Sequence, residues 1–262
     1  MARDKKLIIG NWKMNLGVHE ASLYLHKLSE VVKMHRDVEV VIAPTTLALQ
    51  TLSLQVSYRQ FKLGAQNFYW RDHGAFTGEV SANQLRGIVQ YGLVGHSERR
   101  HVFNESDKDT RAKVQAAIRN GIRPILCIGE TAGEKAMNET NDALYDQLIG
   151  GLANVTSEEL DSVVIAYEPV WAIGTGNNAV PHDVVKAVRA IRNHLRHLYG
   201  TKAAAGVQVI YGGSVSEHSA ADYLALPDVD GLLIGGASLD ARAFAAIVEK
   251  AHDVRGAKKE KQ

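Results

Sequence analysis

The segment Val163-Val164-Ile165-Ala166-Tyr167-Glu168-Pro169-Val170-Trp171-Ala172-Ile173-Gly174-Thr175-Gly176 sets an acid at the end of an apolar run. Three β-branched residues in succession read as a strand buried on both faces, the kind found in parallel sheets. Pro169 stops that strand, because it fixes φ and offers no N–H to a ladder. The Glu168 carboxylate is thus delivered to the strand's carboxyl end, ahead of a segment carrying Trp171 and two glycines. A loop of this kind can close over a base and shield it from water. It can equally be a plain strand–helix connection with a solvated glutamate, and the stretch alone leaves both readings open.

Outward from this segment one alternation repeats. Apolar strand candidates occur at Leu7–Ile9, Val38–Ala43, Phe61–Ala65, Gly92–Val94, Pro124–Ile128, Val163–Ala166, Val207–Ile210 and Leu232–Ile234. Helical faces lie between them: Leu25, Leu28 and Val32 on one, Leu144, Leu148 and Leu152 on another. Val184, Val188, Ile191, Leu195 and Leu198 share a third, and Phe244, Ile247 and Ala251 the last. Thr45-Thr46, Ser106 and Ser216 signal helix starts, and Gly121 stands where a helix-ending glycine belongs. Eight strands alternating with helices predict parallel βαβ units. A closed α/β barrel, the (β/α)8 TIM barrel with eight parallel strands surrounded by helices, fits that count, with an open doubly wound sheet as the alternative. The turn after the first strand, Gly10-Asn11-Trp12-Lys13-Met14-Asn15, lacks a dinucleotide fingerprint. Gly174-Thr175-Gly176-Asn177 is not a nucleotide-binding P-loop.

Composition narrows the function classes. The 262 residues, 45% hydrophobic and without a Pro- or Gly-rich linker, suit one domain over 1–262, with a frayed tail from about residue 253. A net charge of +1 gives no general attraction to nucleic acid or anionic lipid. No apolar run approaches the roughly 18 residues of a membrane span, and the N-terminus lacks the apolar core of a signal peptide. The single cysteine, Cys127, excludes an internal disulfide and a cysteine-cluster metal site, and reads as a packed structural thiol. The chain therefore reads as cytoplasmic, with no nucleic-acid or membrane partner.

In a barrel of this type the chemistry sits at the carboxyl ends of the strands. Five strand ends carry reactive or ligand-binding residue types, beginning with Asn11 and Lys13 after the first, Gly95-His96-Ser97-Glu98 after the fourth and Glu168 after the sixth. The seventh and eighth end in Tyr211-Gly212-Gly213-Ser214 and Gly235-Gly236-Ala237-Ser238. One Gly-Gly pair is an ordinary tight turn; two pairs after successive strands favour close backbone approach to a phosphate. Taken singly, His96, one of 11 histidines, reads as packed or solvated, Lys13 as a strand-end charge, and Ser97 as a helix cap.

Together these segments resemble the signature segments of the triosephosphate isomerases. The resemblance rests on Gly10 to Asn15, Gly74-Ala75-Phe76-Thr77-Gly78-Glu79, Gly95 to Arg100, Ala166 to Gly176, and Tyr211 to Ser214, in order from about Lys6 to Ala251. It implies the barrel fold and the interconversion of dihydroxyacetone phosphate and D-glyceraldehyde 3-phosphate, a step of glycolysis and gluconeogenesis, without metal or organic cofactor. By resemblance Glu168 is the base that moves a proton between C1 and C2. His96, Lys13 and Asn11 hold the substrate oxygens, and Glu98 orients Lys13. By the same resemblance His96 acts as a neutral imidazole at a helix N-terminus. The phosphate falls to Gly174, Ser214, Gly235 and Gly236, and Ser97, Cys127, Tyr211 and Trp171 support the site. A homodimer is implied as well, with Thr77 and Phe76 reaching the partner's site and Met14 at the contact.

The chain departs from the family pattern at Asn177-Asn178-Ala179, which ends the loop from Pro169, and at Val180-Pro181, where a helix cap is lost. Gly133 to Asn138 also departs. Two competitors follow from the residues alone. One is a phosphate-binding aldolase or epimerase, but the sixth strand offers Glu168 where a Schiff-base enzyme needs a lysine, and the strand ends lack a metal-ligand set. The other is a non-catalytic binding role, against which the intact set Asn11, Lys13, His96 and Glu168 argues.

Overall fold

The computed structural model describes residues 5–173 and 179–259. Eight strands close into a parallel barrel in sequence order: β1 (Lys6–Asn11), β2 (Val38–Ala43), β3 (Lys62–Ala65), β4 (Tyr91–Val94), β5 (Arg123–Ile128), β6 (Val164–Tyr167), β7 (Gln208–Tyr211) and β8 (Gly231–Ile234). The helices between and around them are α1 (Val18–Val31), α2 (Thr46–Ser53), α3 (Ala82–Leu85), α4 (Ser97–His101), α5 (Asp107–Arg119), α6 (Ala132–Ala136), α7 (Thr140–Leu152), α8 (Pro181–Gly206), α9 (Ala220–Ala225) and α10 (Ala241–Lys259). Closure, not an open sheet, is the outcome, and β8 pairs β1 from Leu7↔Gly231 to Gly10↔Ile234. Gly231 is required there: a Cβ would lie 1.9 Å from the Leu7 carbonyl oxygen.

The strands are largely apolar because both faces are buried, with polar residues such as Lys6, Lys62, Arg123 and Gln208 at their first positions. One set of alternate residues, Leu7, Ile9, Val41, Leu93, Ile125, Cys127, Val164, Ala166, Ile210 and Leu233, fills the barrel. The intervening set, including Ile8, Ile42, Val94, Leu126, Ile165 and Val209, packs outward against the helices. Helix boundaries follow local chemistry. Ser106 caps α5, accepting from the Asp109 N–H while Asp109 accepts from the Ser106 N–H. Gly121, at φ 70°, ends the same helix. α8 starts at Pro181 behind Val180 with no side-chain cap, and breaks at Gly200, whose φ is 80°. Ser216 caps only a turn, and α9 begins at Ala220. No helix among the described residues is long and apolar enough to cross a membrane.

Candidate active site

The side-chain alternation within each strand decides which strand-end residues reach the barrel mouth. On β6 Val164 and Ala166 point inward, so Glu168 continues the inward series. Asn11 follows Leu7 and Ile9 in the same way. On β4 the inward residues are Tyr91 and Leu93, and unbroken alternation would turn His96 outward. Gly95, at φ 68°, interrupts the alternation and lets His96 reach the mouth.

That turn is held by a buried ionic network. Gly95 N–H donates to Glu105 Oε1 (2.8 Å), and its carbonyl accepts from Arg100 Nε (2.7 Å). Glu105 Oε2 accepts in turn from Arg99 Nε (2.5 Å) and Lys113 Nζ (2.6 Å). Burial alone would raise the Glu105 carboxyl, but Lys113 and Arg99 outweigh it and hold the group below its usual range.

His96 caps α4. Its Nδ1 accepts from the Glu98 N–H (3.2 Å), which leaves Nε2 as the protonated nitrogen of a neutral ring. The sequence reading of Ser97 as the cap is therefore corrected: the cap lies one residue earlier, because the side chain before the helix is the one that can reach the first free N–H groups. Ser97 contributes its backbone instead, donating its N–H to Glu168 Oε2 (2.9 Å). Glu168 Oε1 lies 3.2 Å from His96 Nε2, and Asn11 Nδ2 lies 3.4 Å from the same nitrogen. Glu168 is only 2% exposed.

Lys13 adopts φ 52°, a left-handed conformation unusual for a long side chain. Its N–H donates to Asn11 Oδ1 (3.1 Å), and its carbonyl accepts from Gln66 Nε2 (2.9 Å). Lys13 Nζ is 2.5 Å from Glu98 Oε1, so the ammonium is paired at the mouth's edge. A Cβ at Gly235 would sit 3.3 Å from Lys13 Cε, so the glycine gives the lysine its place.

Asn11, Lys13, His96, Glu168, Ser214, Gly235 and Gly236 line one cavity of about 270 Å³, with Ile173 and Leu233 as apolar wall. Gly174, Asn177 and Asn178 lie outside the described residues. Trp171 does not line this cavity; it lies in a short 3-10 turn, donating its indole N–H to Glu130 Oε1 (2.7 Å), with Lys135 Nζ 3.2 Å from its ring centroid. Glu130 is buried and also accepts from the Tyr167 hydroxyl (3.1 Å); burial raises its carboxyl. Tyr211 is buried beneath the site, stacked on Tyr223, whose hydroxyl donates to the Ala179 carbonyl (2.9 Å). Cys127 is buried inside the barrel, where burial, with Glu168 nearby, pushes its thiol well up and makes it a poor nucleophile.

The remaining three residues are not drawn into this cavity. Met14 is 93% exposed, and Thr77 is exposed. Phe76 packs against Tyr69 (ring centroids 4.6 Å) yet stays partly open. Sequence reasoning missed Gln66, Glu130, Glu105 and Lys113. The first two follow strand ends, and the strand-end criterion would have found them. Glu105 and Lys113 carry no such signal, since they meet only after the chain folds.

The sequence model of the family described as Triosephosphate isomerase matches residues 6–251. A protein of that name from Alkaliphilus oremlandii is 42% identical over 246 residues, covering 93% of this chain and 98% of the relative. One from Symbiobacterium thermophilum is 44% identical over 250 residues, covering 95% and 98%. A third, from Clostridium perfringens, is 41% identical over 243 residues, covering 92% and 98%. The match runs through all eight strands and every strand end that lines the cavity: the chain belongs to the triosephosphate isomerase family.

Proposed function

We propose that the protein interconverts dihydroxyacetone phosphate and D-glyceraldehyde 3-phosphate through an enediolate, with Glu168 as the base. The supporting observation is the convergence of Glu168, His96, Asn11 and Lys13 on one cavity that also holds two glycine-rich turns. The reaction moves one proton between adjacent carbons and one between adjacent oxygens. The electron pairs stay within the substrate, so the chemistry calls for no redox partner. A carboxylate is a weak base for a C–H bond, so it must lose water and the resulting oxyanion must be held. Leu233 and Ile173 help exclude water from the cavity.

In this structure Glu168 is engaged by His96 Nε2 and the Ser97 N–H. A substrate oxygen that took the His96 Nε2 proton as its hydrogen bond would free one carboxylate oxygen to turn toward carbon. Asn11 Nδ2 and Lys13 Nζ would then stabilise the developing charge on the same oxygens. Glu98, 2.5 Å from Lys13 Nζ, would hold the ammonium in place at the edge of the cavity. The phosphate reading is supported by Gly236: among the described residues a Cβ there would meet no atom within 4 Å, so their packing does not require a glycine. A phosphate approaching the backbone does.

The same reading gives a homodimer in which the Gly74–Glu79 loop, with Phe76 and Thr77, covers the partner's Met14 region. The exposed Met14, directly after the site lysine, supports it. The test is a coupled isomerase assay on purified wild type and Glu168→Gln. The variant is expected to lose at least about 10²–10⁴-fold in kcat, the range for removing a general base. Equal rates would overturn the mechanism.

A further inference from the structure

At the opposite end of the barrel, four side chains meet that the isomerase chemistry does not use. His35 lies between α1 and β2, Asp37 immediately precedes β2, and Glu249 and His252 lie one turn apart on α10. His35 Nε2 is 2.8 Å from Glu249 Oε1, and His252 Nδ1 is 2.9 Å from Asp37 Oδ1. The two imidazoles are stacked, with centroids 4.0 Å apart and planes 15° from parallel. One ligand atom from each of His35, Asp37 and His252 lies within 4.8 Å of the others.

We propose that His35, Asp37 and His252 form a binding site for a divalent transition-metal ion, best fitted by Zn²⁺, that staples α10 to the start of β2. The donor set is two imidazole nitrogens and one carboxylate oxygen, which suits Zn²⁺ and disfavours Mg²⁺ and Ca²⁺, whose ligands are oxygens. Glu249 is the carboxylate that orients His35, and its other oxygen faces Lys33 Nζ at 3.7 Å. With bonds of about 2.0–2.2 Å, ligand atoms around a tetrahedral Zn²⁺ stand about 3.4 Å apart, so closing the site takes a movement on the order of 1 Å. Parallel rings cannot aim two in-plane lone pairs at one ion, so one ring must turn. His252 is free to do so, with 43% of its side chain exposed, while His35 and Asp37 are mostly covered, at 13% and 16%. Water would complete the coordination.

The location sets the consequence. The Asp37 carbonyl accepts from the Lys6 N–H where β1 and β2 begin, so the cluster sits on the face away from Glu168 and His96. An ion there would bridge residues 215 positions apart and secure the last helix, so it would act on stability and not on turnover.

The experiment titrates ZnCl₂ into chelator-treated full-length protein at neutral pH by calorimetry, with parallel thermal melts. Wild type is expected to take up one tight equivalent per chain, at micromolar affinity, and to melt at a higher temperature when saturated. His252→Gln should weaken that equivalent by at least about tenfold and abolish the melting shift, with basal isomerase activity unchanged. Asp37→Asn should weaken it too. The other histidines will bind weakly in every sample, so the difference between proteins is the readout. Co²⁺ gives a measurement independent of any variant's folding: wild type should develop the intense visible bands of a low-coordinate site at one equivalent. No tight equivalent in wild type, unchanged binding in both variants, or a Co²⁺ spectrum like that of the aqueous ion would each overturn the proposal.

Discussion

Gly129→Ala tests whether the position of Glu168 is set by backbone packing between β5 and β6. Gly129 follows β5 directly, and an added Cβ would lie 1.7 Å from the Glu168 carbonyl oxygen and 2.5 Å from its carbonyl carbon. Contacts shorter than 3.0 Å do not persist, so one backbone must retreat by about 1.3 Å. Gly129 is the less free of the two. Its N–H donates to Gln147 Oε1 (2.9 Å), and its carbonyl accepts from Gln147 Nε2 (3.0 Å), which pins it to α7 from both sides. Glu168 is tied at its own N–H to the Ile128 carbonyl (2.8 Å) but is followed by a loop, so the displacement falls mainly on it.

A misplacement of about 1 Å in a reacting group costs on the order of 10²-fold. Gly129→Ala is therefore expected to lower kcat about 100-fold and to change KM less, since the proposed phosphate cradle lies after β7 and β8. Overpacking should also cost about 1–3 kcal/mol of stability, read as a lower melting temperature. The assay is steady-state isomerase kinetics well below the melting point, beside circular-dichroism melts. Gly133→Ala is the control, because its Cβ would meet only Thr131 Oγ1, at 3.9 Å. A Gly129→Ala protein with kcat within about twofold of wild type and an unchanged melt would refute the packing argument.

Two further variants probe the supporting structure. Glu105→Gln leaves Lys113 buried without its counter-charge and should cost about 3–5 kcal/mol in urea unfolding at neutral pH. Because Glu105 is held below its usual range when folded, its contribution is present above the ordinary carboxylate pKa and lost as pH falls through the folded value. The gap between wild type and variant should therefore narrow on acidification, and a constant gap would count against the assignment. Met14→Glu should shift sedimentation from about twice 28.6 kDa toward one chain and reduce activity; an unchanged mass and rate would remove Met14 from the interface.

The strand series was legible because strands buried on both faces are apolar through most of their length. The expected Val38–Ala43 coincides with β2, and the other seven runs differ from the observed strands by only a few end residues. Boundaries were less legible where capping was involved. Ser97 and His96 are adjacent and both can accept from a helix N–H; only the backbone turn at Gly95 decides which one does. The strand-end rule located Asn11, Lys13, His96 and Glu168, and applied evenly it would also have brought in Gln66 and Glu130. The Glu105–Lys113 pair was not legible, since a charged residue's burial depends on partners supplied by other elements.

By itself, then, the sequence determined the alternation of apolar strands and helices, the residue types at the strand ends and, through the resemblance of its motifs, the family. Those are local properties, carried by periodicity and by residues that stand next to one another. Tertiary structure decided that the sheet closes, that β4's alternation breaks so His96 turns to the mouth, and that Glu168 rests on His96 and Ser97. It also brought His35, Asp37 and His252 together from segments more than two hundred residues apart. Such arrangements follow from which strand ends and helix faces the barrel places side by side, which no short stretch of chain encodes.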